Sequence, residues 1–334
     1  MYNLPELEKS TNIKAIAVMT SGGDSPGMNP AVRAITRSAL NQGLRVFGIN
    51  RGYSGLIIGD IFELKSTHVT NIIQRGGTIL KSDRCPAFKD PVVRNQAAEI
   101  LKKHEIDGLI VIGGDGSLTG AHYFTQETGI PVIGLPGTID NDIYGTDDSI
   151  GFDTVLNTAL DAIDRIRDTA VSHERIFLVE VMGRNSGHIA SQVGIASGAE
   201  MIIVPEVDFK LETLCFSLAS HRAQSKGGSG IIVVAEGPAP GLTYRLAKQL
   251  ESHGEKPGVS ILGYIQRGGR PTGHDRVLAS CLGASAVTYL MAGFTDIMVG
   301  VINSQITTTP LQDIVEKKKP LNPDLVELAQ LLHK

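Results

Sequence analysis

Two short acidic segments carry the residue types best able to do chemistry. Asp140 and Asp142 lie in Pro136-Gly-Thr-Ile-Asp-Asn-Asp142, directly after the apolar run Pro131-Val-Ile-Gly-Leu135. Asp115 lies in Gly113-Gly-Asp-Gly-Ser117, directly after Gly108-Leu-Ile-Val-Ile112. In both places a buried strand would deliver a loop to an open sheet edge. A carboxylate at Asp140 can act as a base and one at Asp115 can hold a divalent cation, a pairing suited to work on a phosphate. In an extended segment Asp140 and Asp142 would point the same way. One would take a hydroxyl proton while the other stays hydrogen-bonded or near metal. Plainer roles are open to both loops: Asp115 can cap a helix that starts near Ser117, and the Asp140 segment can form an Asx-turn.

A third loop, Thr20-Ser-Gly-Gly-Asp-Ser-Pro-Gly-Met-Asn29, stands between a strand and a helix. Gly22 and Gly27 have P-loop spacing, but Met28-Asn29 replaces the Lys-Ser/Thr that must follow, so this is not a Walker A loop. Its amides can still cradle a phosphate at a helix N-terminus, or simply make a tight turn. Gly114-x-Gly116-x-x-x-Gly120 is one residue too long for a dinucleotide fingerprint. An Asp inside a phosphate loop repels the ligand unless a cation screens it, and Mg²⁺ on Asp115 would do so. Arg84, Arg175, Arg184 and Arg267 lie near strand ends or glycine turns, where a guanidinium can grip phosphate bidentately.

The elements that must position these residues follow from patterning. Strand-length apolar runs recur at Ala15–Met19, Arg45–Ile49, Gly108–Ile112, Val132–Leu135, Arg175–Val181, Met201–Val204, Ile231–Ala235, Val259–Ile265 and Ile297–Ile302. Several are near-continuous Val/Ile, as in strands buried on both faces. Helical patterning falls at Pro30–Gln42, Val92–Lys103, Thr154–Thr169, Glu212–Gln224 and Asp275–Met291. Such alternation predicts an α/β fold with mainly parallel sheets, which bind ligands at the carboxyl ends of strands. The chain has 334 residues, enough for two domains, with a boundary near Gly151. A net charge of −4 argues against a nucleic-acid or anionic-membrane partner. No apolar run has membrane-spanning length. Met1–Thr11 lacks a signal core and reads as a loose extension, so a cytoplasmic location is expected. Cys85, Cys215 and Cys281 are widely spaced, and neither they nor the histidines form a transition-metal pattern.

Taken together, Thr20–Asp24, Gly113–Ser117, Pro136–Asp142, Val181-Met-Gly-Arg184, Pro205-Glu-Val207 and Gly263-Tyr-Ile-Gln-Arg-Gly-Gly269 closely resemble the bacterial-type ATP-dependent 6-phosphofructokinases, from Ile16 to about Pro320. The resemblance implies two Rossmann-like three-layer domains with the active site in the cleft between them. It assigns 1–150 plus about 266–314 to a nucleotide-binding domain and 151–265 plus about 315–334 to a sugar-phosphate-binding domain. The implied reaction moves the ATP γ-phosphoryl to the 1-hydroxyl of fructose 6-phosphate. Asp140 would be the base, with Thr138, Asp142 and Arg184 beside it. Asp115 would hold Mg²⁺. Gly23, Arg84, Cys85, Gly114, Gly116 and Ser117 would join Asp115 in contacting ATP. Ile139, Met182, Gly183, Glu236, Tyr264 and Arg267 would contact the sugar phosphate, joined by Arg175 from a neighbouring subunit of a homotetramer. Gly116 and Gly137 would leave room for a nucleotide where pyrophosphate-using relatives typically carry Asp and Lys.

Two sites depart from the family pattern. Tyr264 stands where a His is usual, and Gly258 where an Arg is usual; both usual residues contact the 6-phosphate. Weaker fructose 6-phosphate binding or a shift toward sedoheptulose 7-phosphate is expected. At the effector site Arg33, Arg37 and Arg167 match, but Ser66 replaces an Arg and Gly228-Ser229 replace paired lysines, so muted or altered allostery is expected. The competing readings are a pyrophosphate-dependent or heptulose-phosphate kinase, and a catalytically silent nucleotide- and sugar-phosphate-binding subunit.

Overall fold

In a computed structural model, which describes residues 2–208, 229–237 and 240–332, the apolar runs form strands of two sheets. The chain divides into two compact units, Met1–Thr154 with Arg267–Lys319, and Val155–Gln266 with Pro320–Lys334.

The first unit is a three-layer α/β/α arrangement. Its sheet contains β1 (Ala15–Ser21), β2 (Arg45–Ile49), β3 (Ile61–Glu63), β4 (Gly108–Gly113), β5 (Val132–Pro136), β10 (Ile297–Ile302) and β11 (Gln305–Pro310), in the order β11-β10-β5-β4-β1-β2-β3. The five inner strands are parallel; the edges β3 and β11 are antiparallel. Strands β1, β4 and β5 are buried at every position, which explains the apolar run Ala15–Met19 of β1 and the apolar sequences of β4 and β5. Alternation still sorts their side chains. Ile16 and Val18 pack with Val32 and Ile35 of helix α1 (Met28–Asn41) and with Leu278 and Leu282 of the helix Gly273–Met291. Ala17 and Met19 face the other way, toward the core that holds Leu56 of α2 (Gly52–Ile58), Leu101 of α3 (Pro91–Lys103) and Leu118 and Phe124 of α4 (Asp115–Thr128). Helix α3 starts where it does because Asp90 accepts from the Val92 amide and Pro91 fills the first helical position. From β1 the sheet grows toward β2 on one side and β4 on the other. The carboxyl ends of β1 and β4 therefore flank a topological switch point, the usual ligand crevice of such sheets.

The second unit holds β6 (Ile176–Val181), β7 (Met201–Ile203), β8 (Gly230–Ala235) and β9 (Gly258–Ile261), all parallel in the order β7-β8-β6-β9. Ile176, Leu178, Ile232 and Val234 pack on Leu246 and Leu250 of the helix Leu242–Ser252.

The fold corrects the sequence reading in three places. The expected strand Val259–Ile265 ends at Ile261, and Gly263–Arg267 is a 3₁₀ turn. Strands β3 and β11 went unseen because their stability comes from pairing with β2 and β10 rather than from an apolar run of their own. The N-terminal extension is tied down: Ser10 and Thr11 amides donate to the Met291 carbonyl, and the Ser10 hydroxyl donates to Ala292 O at 2.7 Å. These bonds satisfy carbonyls left open at the end of the helix Gly273–Met291. The expected helix Glu212–Gln224, with Cys215, lies outside the described residues.

Candidate active site

Three loops leave β1, β4 and β5 side by side, because Ser21 pairs with Gly113 and Gly113 with Pro136. The Gly137 amide donates to Gly113 O at 2.9 Å, and Ser117 Oγ donates to Ser21 Oγ at 3.0 Å. A fourth segment closes on the β1 loop. Ser82 Oγ donates to Gly22 O at 2.7 Å and the Gly22 amide donates to Asp83 O at 3.1 Å. Gly23, Arg84, Cys85, Gly114, Asp115, Gly116 and Ser117 thus belong to neighbouring segments around the ends of β1 and β4.

Helix α4 begins at Asp115, with Gly114 as its N-cap and no side-chain cap. Asp115 is therefore the first helical residue and not the cap, which removes the plainer reading of this loop. The amides at the head of a 14-residue helix face outward with the positive end of its dipole. The Asp115 carboxylate is 37% exposed and accepts from Lys318 Nζ at 2.6 Å. Sequence reasoning passed over Lys318, which lies 203 residues away in a run of three lysines. A Cβ on Gly116 would meet no atom of the described residues within 4 Å, whereas one on Gly137 would press on Ile112 Cγ2 at 2.8 Å and Gly113 N at 3.2 Å. Gly137 is thus required by packing under the sheet, whatever it does for a ligand.

The Asp140 loop folds back on its own strand. Gly137 bridges to Ile150, the Ile150 amide donates to Pro136 O, and Ser149 Oγ donates to Thr138 O at 2.7 Å. Thr138 Oγ accepts from the Asp140 amide at 3.2 Å, and a Cβ on Gly114 would lie 3.7 Å from Thr138, so the β4 and β5 loops touch here. Asp140 is 3% exposed. The Ile139 side chain is core, leaving its backbone as the part able to meet a ligand. The segment is not extended as expected: Asn141 has φ 51°, in the left-handed region, so Asp140 and Asp142 do not alternate as on a strand. For a non-glycine residue this conformation costs roughly 1–2 kcal/mol, and such residues gather at functional loops.

The family model for phosphofructokinase matches residues 15–290. This chain is a phosphofructokinase-family protein. It is 50% identical over 324 residues to ATP-dependent 6-phosphofructokinase 2 of Bacteroides thetaiotaomicron, covering 96% of this chain and 98% of that one. It is 50% identical over 321 residues to the ATP-dependent 6-phosphofructokinase of Thermotoga neapolitana, covering 96% and 100%. The structure of phosphofructokinase from Saccharomyces cerevisiae superposes with a TM-score of 0.85 at 37% identity, over 91% of this chain and 45% of the yeast chain, so this chain spans less than half of that protein.

Other candidates of this phosphofructokinase-family chain lie in the second unit. Met182, Gly183 and Arg184 leave the carboxyl end of β6. The Arg184 amide donates to Glu236 Oε1 at 3.1 Å, and Glu236 follows β8, the neighbour of β6. Arg184 has φ 52°. Gln266, fully buried, accepts from the Met182 amide at 3.2 Å and donates to Gly263 O. It fixes the Met182–Gly183 backbone, and the Gln266-Arg267 string was the signal for it. Arg175 precedes β6, at the opposite end from Arg184; a six-residue strand spans about 20 Å. Tyr264 is 84% exposed. A Cβ on Gly258 would run into the Phe177 ring opposite it on β6. Arg267, in the first unit, lays its guanidinium against Gly23, and its buried Nε has no hydrogen-bond partner among the described residues.

Of the effector candidates, Arg33 and Arg37 share one face of α1; burial and then the Arg37 charge lower the Arg33 pKa. Arg167, in the second unit, donates to Ser197 O at 2.7 Å and lies 3.4 Å from Glu200. Lys226–Gly228 fall outside the described residues.

Proposed function

We propose that this chain transfers the γ-phosphoryl of ATP to the 1-hydroxyl of fructose 6-phosphate, giving fructose 1,6-bisphosphate and ADP. The observation that carries the reading is the adjacency of three loops at the ends of β1, β4 and β5: a glycine loop, a helix N-terminus headed by Asp115, and the buried Asp140. The two ATP-dependent relatives, matched over nearly their whole length, support the donor. The first unit takes the nucleotide and the second, through Met182, Gly183, Arg184 and Glu236, the sugar phosphate. Asp140 accepts the hydroxyl proton, Thr138 and Asp142 set the acceptor's orientation, and the α4 amides and Arg184 stabilise charge on the transferring group.

Mg²⁺ fits Asp115 as a companion of nucleotide phosphates. One accessible carboxylate is present, and among the described residues no cluster of three or more His, Cys, Asp or Glu can hold a metal. When bound, the ion would neutralise phosphate charge. Among the described residues no helix is long and apolar enough to cross a membrane, in keeping with a glycolytic enzyme of the cytoplasm. A homotetramer, with Arg175 serving a neighbour, accounts for that residue's place at the far end of β6. The tied Arg167 supports muted or altered effector control.

A second reading, toward a larger sugar phosphate such as sedoheptulose 7-phosphate, is favoured by Gly258. With Phe177 packed over it, this position offers the acceptor's distal phosphate no cation. One assay decides between these readings: wild type and Asp140→Asn, with ATP or pyrophosphate, against both sugar phosphates. We expect ATP-dependent phosphorylation that falls about 10²–10⁴-fold in Asp140→Asn. Equal rates in the two proteins would sink the assignment of the base. A preference for the seven-carbon acceptor would establish the second reading.

A further inference from the structure

The Lys317–Lys319 run belongs to none of the loops above, yet Lys318 reaches the Asp115 loop directly and Lys319 reaches the Asp140 loop through the Asp147 carbonyl. Lys318 Nζ donates to Asp115 Oδ2 at 2.6 Å. Lys319 Nζ donates to the Asp147 carbonyl at 2.7 Å, and the same carbonyl accepts the Asn141 side-chain amide at 3.0 Å. Asn141 is the left-handed residue between Asp140 and Asp142. Such backbone persists only where its surroundings hold it. Asp147 can do so because it is anchored itself: its amide donates to Val301 O at 2.7 Å, and its Oδ2 accepts from the Asn303 amide at 2.7 Å. Lys319 is half-buried. Burial pulls its ammonium down to about 8, against the opposing pull of Asp148, Asp147 and Asp142. Partial desolvation makes this ammonium costlier to keep charged, while its bond to the Asp147 carbonyl fixes where it points.

We propose that Lys319 is a positioning residue of the acceptor loop. Through the Asp147 carbonyl it holds the turn at Asn141, and with it the presentation of Asp140 and Asp142. Its neighbour Lys318 holds Asp115, so one dipeptide at the end of the first unit ties the two carboxylate loops to each other. The catalytic part of this inference rests on the reading of Asp140 as the base.

The test compares full-length wild type, Lys319→Met, Lys319→Arg and Asp140→Asn by steady-state kinetics, thermal melting and amide hydrogen exchange. Lys319→Met should lower kcat by about 10-fold or more, the scale of a small misplacement of reacting groups. KM for ATP should stay within about twofold and Tm should change little, because the bond removed is a partly exposed one. Exchange should quicken across residues 139–143 and stay unchanged in β1 and β4. Lys319→Arg should recover part of kcat by restoring a donor. The proposal fails if exchange at 139–143 is unchanged, or if kcat falls less than about 10-fold. It also fails if Tm drops and exchange quickens throughout the unit, which would mark an ordinary structural lysine. Asp140→Asn separates the two readings: an active Asp140→Asn overturns the base and leaves the exchange pattern to judge Lys319 alone.

Discussion

A Cβ at Gly116 would meet no atom of the described residues within 4 Å, while one at Gly137 would press on Ile112 and the Gly113 amide. The two glycines therefore differ in what they say about the phosphoryl donor. Gly137 has a packing reason within the protein. Gly116 has none among the described residues, so its missing side chain leaves open space at the head of α4. Gly116→Asp should fold with a wild-type Tm, as surface substitutions away from packed features do. It should lose about 10–100-fold in kcat/KM for ATP, or about 1.4–2.7 kcal/mol, because a carboxylate would face the nucleotide phosphates. Undiminished ATP use by the variant would remove the steric argument for donor choice.

At the level of elements, the start of the helix Gly273–Met291 governs how the Asp140 loop returns to α5 (Phe152–His173). Asp275, fully buried, accepts from the Gly151 and Thr154 amides, both at 2.8 Å, and from the Thr154 hydroxyl. Its own amide donates to Thr272 Oγ, so one residue serves the starts of two helices. Beside it, His274 Nε2 lies 3.2 Å from Asp148. The hydrogen bond with Asp148 raises the His274 pKa, and burial opposes this only in part. The folded state therefore holds the proton more tightly than the unfolded chain. The pairing contributes fully below the ordinary imidazole pKa of about 6.5 and is lost as pH rises through the raised folded value. With side chains 42% and 36% exposed the contribution is screened to about 0.5 kcal/mol or less. His274→Gln should flatten the decline of Tm above about pH 6.5. A slope identical to wild type would mean that the pairing does not act on stability.

For the whole molecule, the decisive residue is Arg175. It sits at the amino end of β6, a strand's length of about 20 Å from Arg184 at the carboxyl end. If Arg175 completes the site of a neighbouring subunit, Arg175→Ala and Asp140→Asn proteins, each inactive alone, should regain activity when unfolded and refolded together. Mixed oligomers would then contain some sites with both groups intact. Continued inactivity of the mixture, in oligomers shown to be hybrid, would place Arg175 outside the shared site.

The apolar runs determined β1, β2, β4, β5, β6, β8 and β10 almost residue for residue, most directly in β4, β5 and β8, which are buried at every position. The same runs located the three loops of the site, because glycine and Asp directly after a buried strand can only fall at the sheet's edge. Periodicity could not show the edge strands β3 and β11, whose stability comes from pairing, or the early end of β9. It also misjudged the Asp140 segment as extended, because the left-handed Asn141 is held by Asp147, six residues away. Tertiary structure alone decided that Asp115 heads α4 rather than capping it. It alone brought Lys318 and Lys319 to the carboxylate loops, and laid Phe177 over Gly258. The physical reason is the same in each case: local pattern reports which surface a residue buries, while a contact across 200 residues depends on where the sheet sends both segments.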